Sequence, residues 1–243
     1  MPQIELRYFG VSGFEITSEN GVKVLIDPCI TGLHGVKSSP VGLEAFPTLD
    51  IILVSHGADD HLGDTLQLAK QTGCDVMGAS DVATYLVRKG IDTRKIRRVV
   101  WGLKEDYKGL RIKVVESHHA SWLTDGDIIL SHMPLGFIVY TESGLGIYHP
   151  GDTSIFGDLK LFGELYRPQI GLLPVGLPSR EGAELNAEEA SLVTKWMDLK
   201  MVVPMHYAKG SSAPHDFARY VRRDSPDTRV VIMTPGEKLV YKF

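Results

Sequence analysis

Short apolar runs separated by turn residues open this chain. Three such runs come first and are predicted as strands: residues 4–9, 13–17 and 22–26. Between the last two, Asn20 and Gly21 form a pair typical of a tight hairpin. The third run ends at Asp27, and a glycine- and proline-containing stretch continues to Pro47. A connection of that length inside a compact domain is more often functional than incidental.

The pattern then alternates between strand and helix. Helices are predicted over residues 62–72 and 80–89, and strands over 51–54, 75–79 and 96–101. Residues 104–109 are predicted as only a short turn, after which strands return and a helix begins after Asn186, with Glu189 three residues later. Strands followed by α/β alternation, repeated once, predict an α/β (α+β) fold of one domain, 1–243, with similar half-domains at about 1–110 and 111–243.

Composition narrows the function classes. The 243 residues are 43% apolar with a net charge of −4, so no broad nucleic-acid or membrane footprint is expected. Cys29 and Cys74 are too few for a disulfide scaffold or a thiolate zinc site, which favours a cytoplasmic setting. No leader pattern is visible, and no apolar run approaches the roughly 20 residues that span a bilayer.

The candidate chemistry begins directly after the apolar run 51–54. Residues 55–61 hold two imidazoles and two carboxylates: His56, Asp59, Asp60 and His61. Neutral imidazole and carboxylate are the ligands that suit zinc and neighbouring first-row metals.

Histidine or a glycine–aspartate pair follows three further predicted strands. These later positions are His118 and His119, His149 with Asp152, and His206. Because α/β sheets gather functional groups at strand ends, the joint occurrence predicts a metal site. In an extended segment His118 and His119 point to opposite faces, so only one should be a ligand.

The motifs resemble the metallo-β-lactamase fold superfamily, in the branch of small metal-dependent hydrolases that includes ascorbate-6-phosphate lactonase-like proteins. The resemblance covers essentially the whole chain through these segments: 52–57, 60–64, 117–121, 148–153, 173–176 and 203–207. It implies a four-layer αββα sandwich.

The resemblance also implies a ligand set for Zn²⁺ or Mn²⁺, one or two ions per chain. His56 and His119 would bind the first metal; Asp60, His61 and His206 would bind the second, with Asp152 bridging. A metal-activated water would then attack a carbonyl or phosphoryl centre. Asp60 and Asp152 are the implied catalytic carboxylates, and the family's motif favours His119 over His118.

Ala58 departs from this pattern, because the family has a second histidine at that position and a methyl group cannot bind metal. Three readings stay open: use of the second site alone, an engineered loss, or a substitute ligand. The candidate substitutes or neighbours of the site are Asp59, His34, His118 and His149.

The sequence says less about the substrate. Arg180, Tyr207 and Trp122 are candidate substrate contacts. We expect hydrolysis of a small anionic ester, lactone or phosphate ester, with a phosphodiesterase or nuclease, or a metal- or ligand-binding protein of little turnover, as alternatives. A small-molecule substrate is the expected partner, without nucleic acid or membrane, and close members of this branch often form homo-oligomers.

Overall fold

The computed structural model describes residues 1–33, 38–176 and 183–243. Two sequence candidates, His34 and Arg180, lie outside these residues. The chain divides into two compact units. The first comprises residues 1–103, 120–135 and 234–243, and the second comprises 104–119 and 136–233.

The described residues form the following strands in chain order: β1 (Gln3–Gly10), β2 (Gly13–Thr17), β3 (Lys23–Ile26), β4 (Ile51–Leu53), β5 (Asp75–Gly78), β6 (Ile96–Arg98), β7 (Lys104–Tyr107), β8 (Leu110–Glu116), β9 (Trp122–Asp125), β10 (Ile128–Ser131), β11 (Leu135–Tyr140), β12 (Gly146–His149), β13 (Ile170–Pro174), β14 (Met201–Met205), β15 (Arg229–Val230) and β16 (Lys238–Lys242). The helices are α1 (Asp59–Leu62), α2 (Thr65–Thr72), α3 (Ser80–Arg88), α4 (Asp158–Tyr166), α5 (Ala187–Trp196) and α6 (Ala213–Asp224). None of these helices is long and apolar enough to cross a membrane.

The first unit contains a sheet of order β16-β1-β2-β3-β4-β5-β6, plus the separate hairpin β9–β10. Strands β16 to β3 pair antiparallel and β3 to β6 pair parallel. All three residues of β4 are buried, as expected for a parallel strand covered on both faces. Phe9, Leu25, Ile52 and Leu68 belong to the core of this unit.

The predicted start of the helix over residues 62–72 was wrong. The structure has α1 and α2 with a break at Gly63, whose φ is +42°. The positive φ interrupts the helix at Gly63, and a Cβ at this position would collide with the carbonyl oxygen of Pro28. The break places α1 against the loop that follows β3.

The second unit contains a sheet of order β15-β14-β13-β12-β11-β8-β7. Strands β12 to β15 pair parallel, whereas β7 with β8 and β11 with β12 pair antiparallel. Its core includes Tyr148, Leu173, Val202 and Phe217. The expectation of a mere turn over 104–109 was wrong, because β7 and β8 form a hairpin there.

The two sheets confirm the predicted mixed α/β class. Each combines antiparallel and parallel strands, and helices connect the consecutive parallel strands β4 to β6 and β12 to β15, as the repeated alternation of strands and helices predicted. The predicted start of α5 is also confirmed, because Asn186 and Glu189 form a capping box.

Candidate metal centre

The first cluster of polar side chains lies where β4 ends. We define it as Asp27, Ser55, His56, Asp60 and His61. Ser55 and His56 follow the buried strand, and α1 carries Asp60 and His61 one turn later. His56 and His61 are buried with ring centroids 4.1 Å apart, while Asp60 is partly exposed.

Asp27 organises this cluster from the end of β3. Its Oδ2 atom is 2.7 Å from Nδ1 of His61 and accepts a hydrogen bond from Ser55 Oγ at 2.6 Å. Its Oδ1 atom accepts the Ser55 backbone N–H at 2.7 Å. Since Oδ2 can only accept, Nδ1 of His61 carries the proton and Nε2 keeps its lone pair. A carboxylate behind a histidine in this way is the usual support of a metal ligand.

Ser55 orients the ring of His56 as Asp27 orients that of His61, with Nδ1 toward the supporting oxygen. Nδ1 of His56 lies 3.0 Å from Ser55 Oγ. Because the hydroxyl proton is donated to Asp27, the oxygen is left to accept Nδ1–H of His56. Both imidazoles of the first cluster therefore offer Nε2 as a metal donor.

A second set of hydrogen bonds fixes the loop that carries these histidines. Asp64 accepts the backbone N–H groups of Ile30 at 2.7 Å and Thr31 at 2.8 Å, which ties the start of α2 to the loop after β3. On the other side, Gly57 N–H donates to Ser121 Oγ at 3.0 Å, and Ser121 Oγ donates to buried Asp81.

The hairpin β9–β10 packs directly on the same loop. A Cβ at Gly57 would lie 2.9 Å from Leu123 Cδ2, so a larger residue here would require the Leu123 side chain to shift. Ala58, one position later, precedes α1 and is only partly buried. The loop keeps its support although it lacks an imidazole at position 58.

The second cluster is defined as His119, Asp152, Glu184 and His206. Asp152 follows β12, His206 follows β14 and His119 follows β8. Oδ2 of Asp152 is 3.3 Å from Nε2 of His206 and 3.8 Å from Nε2 of His119. Two imidazole nitrogens thus converge on one buried carboxylate.

Glu184 completes this cluster and was missed by sequence reasoning. Its Oε2 atom lies 2.7 Å from Nδ1 of His206, and both side chains are buried. Donor atoms of Asp152, Glu184 and His206 all lie within 4.8 Å of one another, a grouping that could hold a metal ion. No strand end or motif marks Glu184 in the sequence; only a buried acid directly before the α5 cap could have drawn attention to it.

The structure separates the two neighbouring histidines. His119 lies near Asp152 with 15% of its side chain exposed, and its Nδ1 is 3.0 Å from the Ala183 carbonyl oxygen. His118 is 44% exposed and stacks on Phe156 at 3.9 Å between ring centroids. The segment therefore brings His119 to the cluster and leaves His118 at the surface.

The remaining candidates lie outside both clusters. Asp59 is exposed at the start of α1, and Nδ1 of buried His149 accepts the Gly151 N–H at 3.1 Å. Trp122 is 57% exposed on β9, so it is not a core residue. Tyr207 is half-buried against the core of the second unit, and burial raises the pKa of its hydroxyl.

The donor chemistry of the clusters fits a divalent transition metal. Imidazole nitrogens and carboxylate oxygens are the donors present, and the Nδ1 atoms of His56, His61 and His119 have hydroxyl, carboxylate or carbonyl oxygens as partners. This leaves the Nε2 atoms for metal binding, the arrangement found behind metal-ligating histidines.

Comparison with known proteins decides the family. The model of the β-lactamase superfamily domain matches residues 5–206. The chain belongs to this superfamily. A UPF0173 metal-dependent hydrolase of Methanobrevibacter smithii is 34% identical, with 98% of this chain and 97% of that protein covered. Another from Rubrobacter xylanophilus is also 34% identical, with 96% and 95% covered.

Solved structures of the superfamily agree with the fold. Igni18, described as a metallo hydrolase from Ignicoccus hospitalis, has a TM-score of 0.83 and 29% identity, with 99% of each chain covered. The resemblance inferred from the motifs is thereby confirmed, as is the metallo-β-lactamase fold.

Proposed function

We propose that this β-lactamase superfamily member is a metal-dependent hydrolase of small anionic esters, lactones or phosphate esters. The observation that carries the proposal is the convergence of His119 and His206 on Asp152, with both Nε2 atoms within 3.8 Å of one carboxylate oxygen. Similarity to relatives named metal-dependent hydrolases supports it.

The two clusters would supply the ligands. The family resemblance implies Asp60, His61, Asp152 and His206 as the more complete ligand set, and we expect at least one ion to bind to these residues. His56 and His119 would remain for a first site that lacks the imidazole at position 58. The mixture of nitrogen and oxygen donors suits Zn²⁺ or Mn²⁺.

A bound divalent ion supplies a water of lowered pKa and a Lewis acid for the developing oxyanion. The protein side chains hold the donor atoms in place. Asp27 accepts Nδ1–H of His61 and Ser55 accepts Nδ1–H of His56, so that neither ring must reorient to bind metal through Nε2. Asp60, which is partly exposed at the start of α1, would accept a proton from the nucleophile.

The substrate class rests on the resemblance and on charge. A net charge of −4 makes a nucleic-acid substrate less suitable than a small metabolite, so a phosphodiesterase or nuclease is the weaker candidate. A cytoplasmic location and a homo-oligomeric state belong to the same proposal.

Metal content and a substrate panel test the proposal together. Protein stripped with chelator would be reloaded with Zn²⁺ or Mn²⁺, counted by mass spectrometry, and assayed on lactones, phosphomonoesters and phosphodiesters. We expect binding and metal-dependent turnover that His206→Ala abolishes and His215→Ala, a change at an exposed histidine, retains. Failure to bind either metal would refute the proposal.

Ala58→His then distinguishes an altered first site from a substitute ligand. We expect the variant to bind more metal than the wild type and to turn over faster, because an imidazole is restored in a loop that is otherwise supported. Ala58→Asn, which adds bulk without the imidazole, is the control. A wild type that already binds two ions would show that a substitute ligand is present.

A further inference from the structure

We propose that Glu184 is a positioning residue that fixes the ring of His206 for metal binding. This inference rests on the proposed function, since it assigns His206 as a ligand. Glu184 is a positioning rather than a catalytic residue, because its Oε2 atom contacts Nδ1 of the histidine, whereas Asp152 faces Nε2.

The geometry around the His206 ring carries the proposal. Oε2 of Glu184 is 2.7 Å from Nδ1, whereas Oδ2 of Asp152 is 3.3 Å from Nε2. The two carboxylates therefore face different nitrogens of the same ring. A nitrogen and an oxygen that both present lone pairs repel each other at 2.7 Å, so we infer that Nδ1 is protonated on the side of Glu184, although the two atoms are not aligned for a hydrogen bond. That proton leaves the Nε2 lone pair directed at Asp152.

Glu184 is buried beside the imidazole of His206. Within the described part of the chain its Oε2 atom lies 2.7 Å from Nδ1 of His206 without forming a hydrogen bond. A buried carboxylate is costly unless it is paired or near a cation. A modest rotation that aligns Nδ1–H with Oε2 would satisfy both groups, and metal binding at Nε2 would favour that rotation by making Nδ1–H a stronger donor.

The segment around Glu184 is anchored to the rest of the cluster. Leu185 N–H donates to the Thr153 carbonyl oxygen at 2.7 Å, next to Asp152. The Ala183 carbonyl oxygen is 3.0 Å from Nδ1 of His119. Residues 183–185 thus contact Nδ1 of His119 and Nδ1 of His206. They also bind the backbone of Thr153, which is next to Asp152. One short segment sets the orientation of the whole second cluster.

The test measures the His206 tautomer and metal affinity in the full-length protein. Long-range ¹H–¹⁵N NMR of the metal-free protein reports which ring nitrogen is protonated, and competition with a chromophoric chelator gives the zinc dissociation constant. We expect Glu184→Ala to lose the Nδ1–H tautomer of His206 and to bind zinc about 10- to 100-fold more weakly. Glu184→Gln keeps an acceptor oxygen and should lie between Ala and wild type.

Glu164→Gln, a change of an exposed glutamate on α4, is the matched control and should leave both readouts unchanged. If Glu184→Ala does not fold, the same measurements on Glu184→Gln decide. Unchanged tautomer and affinity would overturn the proposal. So would a loss of affinity in Glu184→Gln equal to that in Glu184→Ala with the tautomer unchanged, because that pattern indicates direct ligation. A wild type that binds no metal would refute the proposed function, while the tautomer would still report whether Glu184 fixes His206.

Discussion

The two clusters support their histidines by different means. In the first, Asp27 receives Ser55 N–H, Ser55 Oγ–H and His61 Nδ1–H, so its carboxylate is held by three donors. In the second, the contact of Glu184 with His206 is equally short but lacks ideal hydrogen-bond alignment. The carboxylate of the first cluster is thus held by three donors, whereas the carboxylate behind His206 in the second lies close to its histidine without a hydrogen bond.

The contacts of the first cluster indicate how the loop around Ala58 keeps its structure without an imidazole at that position. The loop is held by Asp27, Asp64 and Ser121, none of which depends on the side chain at position 58. Loss of the imidazole therefore removes a donor without removing the scaffold. The first cluster should respond to mutation mainly in stability, and the second mainly in metal affinity.

The largest effect on stability is expected from Asp27→Ala. The change leaves three buried donors without their acceptor, which should lower the free energy of unfolding by about 3 kcal/mol or more. Urea unfolding of the metal-free protein measures this, with exposed Asp127→Ala as the control. A loss no larger than that of Glu184→Ala would contradict the contrast between the clusters.

Ser121→Ala should have the next largest effect. Buried Asp81 and the Gly57 N–H both lose the Ser121 hydroxyl as their hydrogen-bond partner, which should lower the free energy of unfolding by about 2 kcal/mol. Hydrogen exchange at Gly57 should accelerate along with the decrease in stability. Thr124→Ala, on an exposed position of β9, should change neither quantity. Slow exchange at Gly57 in the Ser121 variant would show that the hydroxyl does not hold the loop.

Gly63→Ala tests the break between α1 and α2. Both Gly63 and Gly73 follow a helix and have positive φ, but a Cβ at Gly63 would collide with the backbone of Pro28, whereas a Cβ at Gly73 would meet nothing within 4 Å. We expect Gly73→Ala to cost about 1 kcal/mol and Gly63→Ala to cost more. Thermal unfolding of the two variants gives the comparison, and equal losses would mean that the contact with Pro28 relaxes freely.

The smallest effect concerns pH and Cys29. Burial, together with nearby Asp60 and Asp64, raises the pKa of this thiol. A raised folded-state pKa gives stability that is present below the usual thiol pKa of about 8.5 and is lost as pH rises through the folded value. The free energy of unfolding, measured from pH 7 to 10, should therefore decline less steeply with pH in Cys29→Ala than in the wild type. An identical decline would exclude a contribution from Cys29.

Much of the fold could be predicted because its patterns are local. Alternating and continuous apolar runs indicated β1 to β5, and the capping residues Asn186 and Glu189 located the start of α5. One prediction failed where distant backbone intervened, because Gly63 lies against the backbone of Pro28 at the break between α1 and α2. The other failed locally, because residues 104–107 pair with the adjacent strand β8.

The sequence by itself determined which residues could bind metal, because ligand chemistry belongs to residue type and strand ends are readable from apolar runs. His56, His61, His118, His119, Asp152 and His206 were candidates on that ground, and the family resemblance favoured His119 over His118. Only the tertiary structure decided that Asp27 and Glu184 stand behind His61 and His206, and that His119 rather than His118 faces Asp152. Those pairings join residues that are 22 to 34 positions apart in sequence for the two carboxylates, and no local periodicity encodes contacts across such separations.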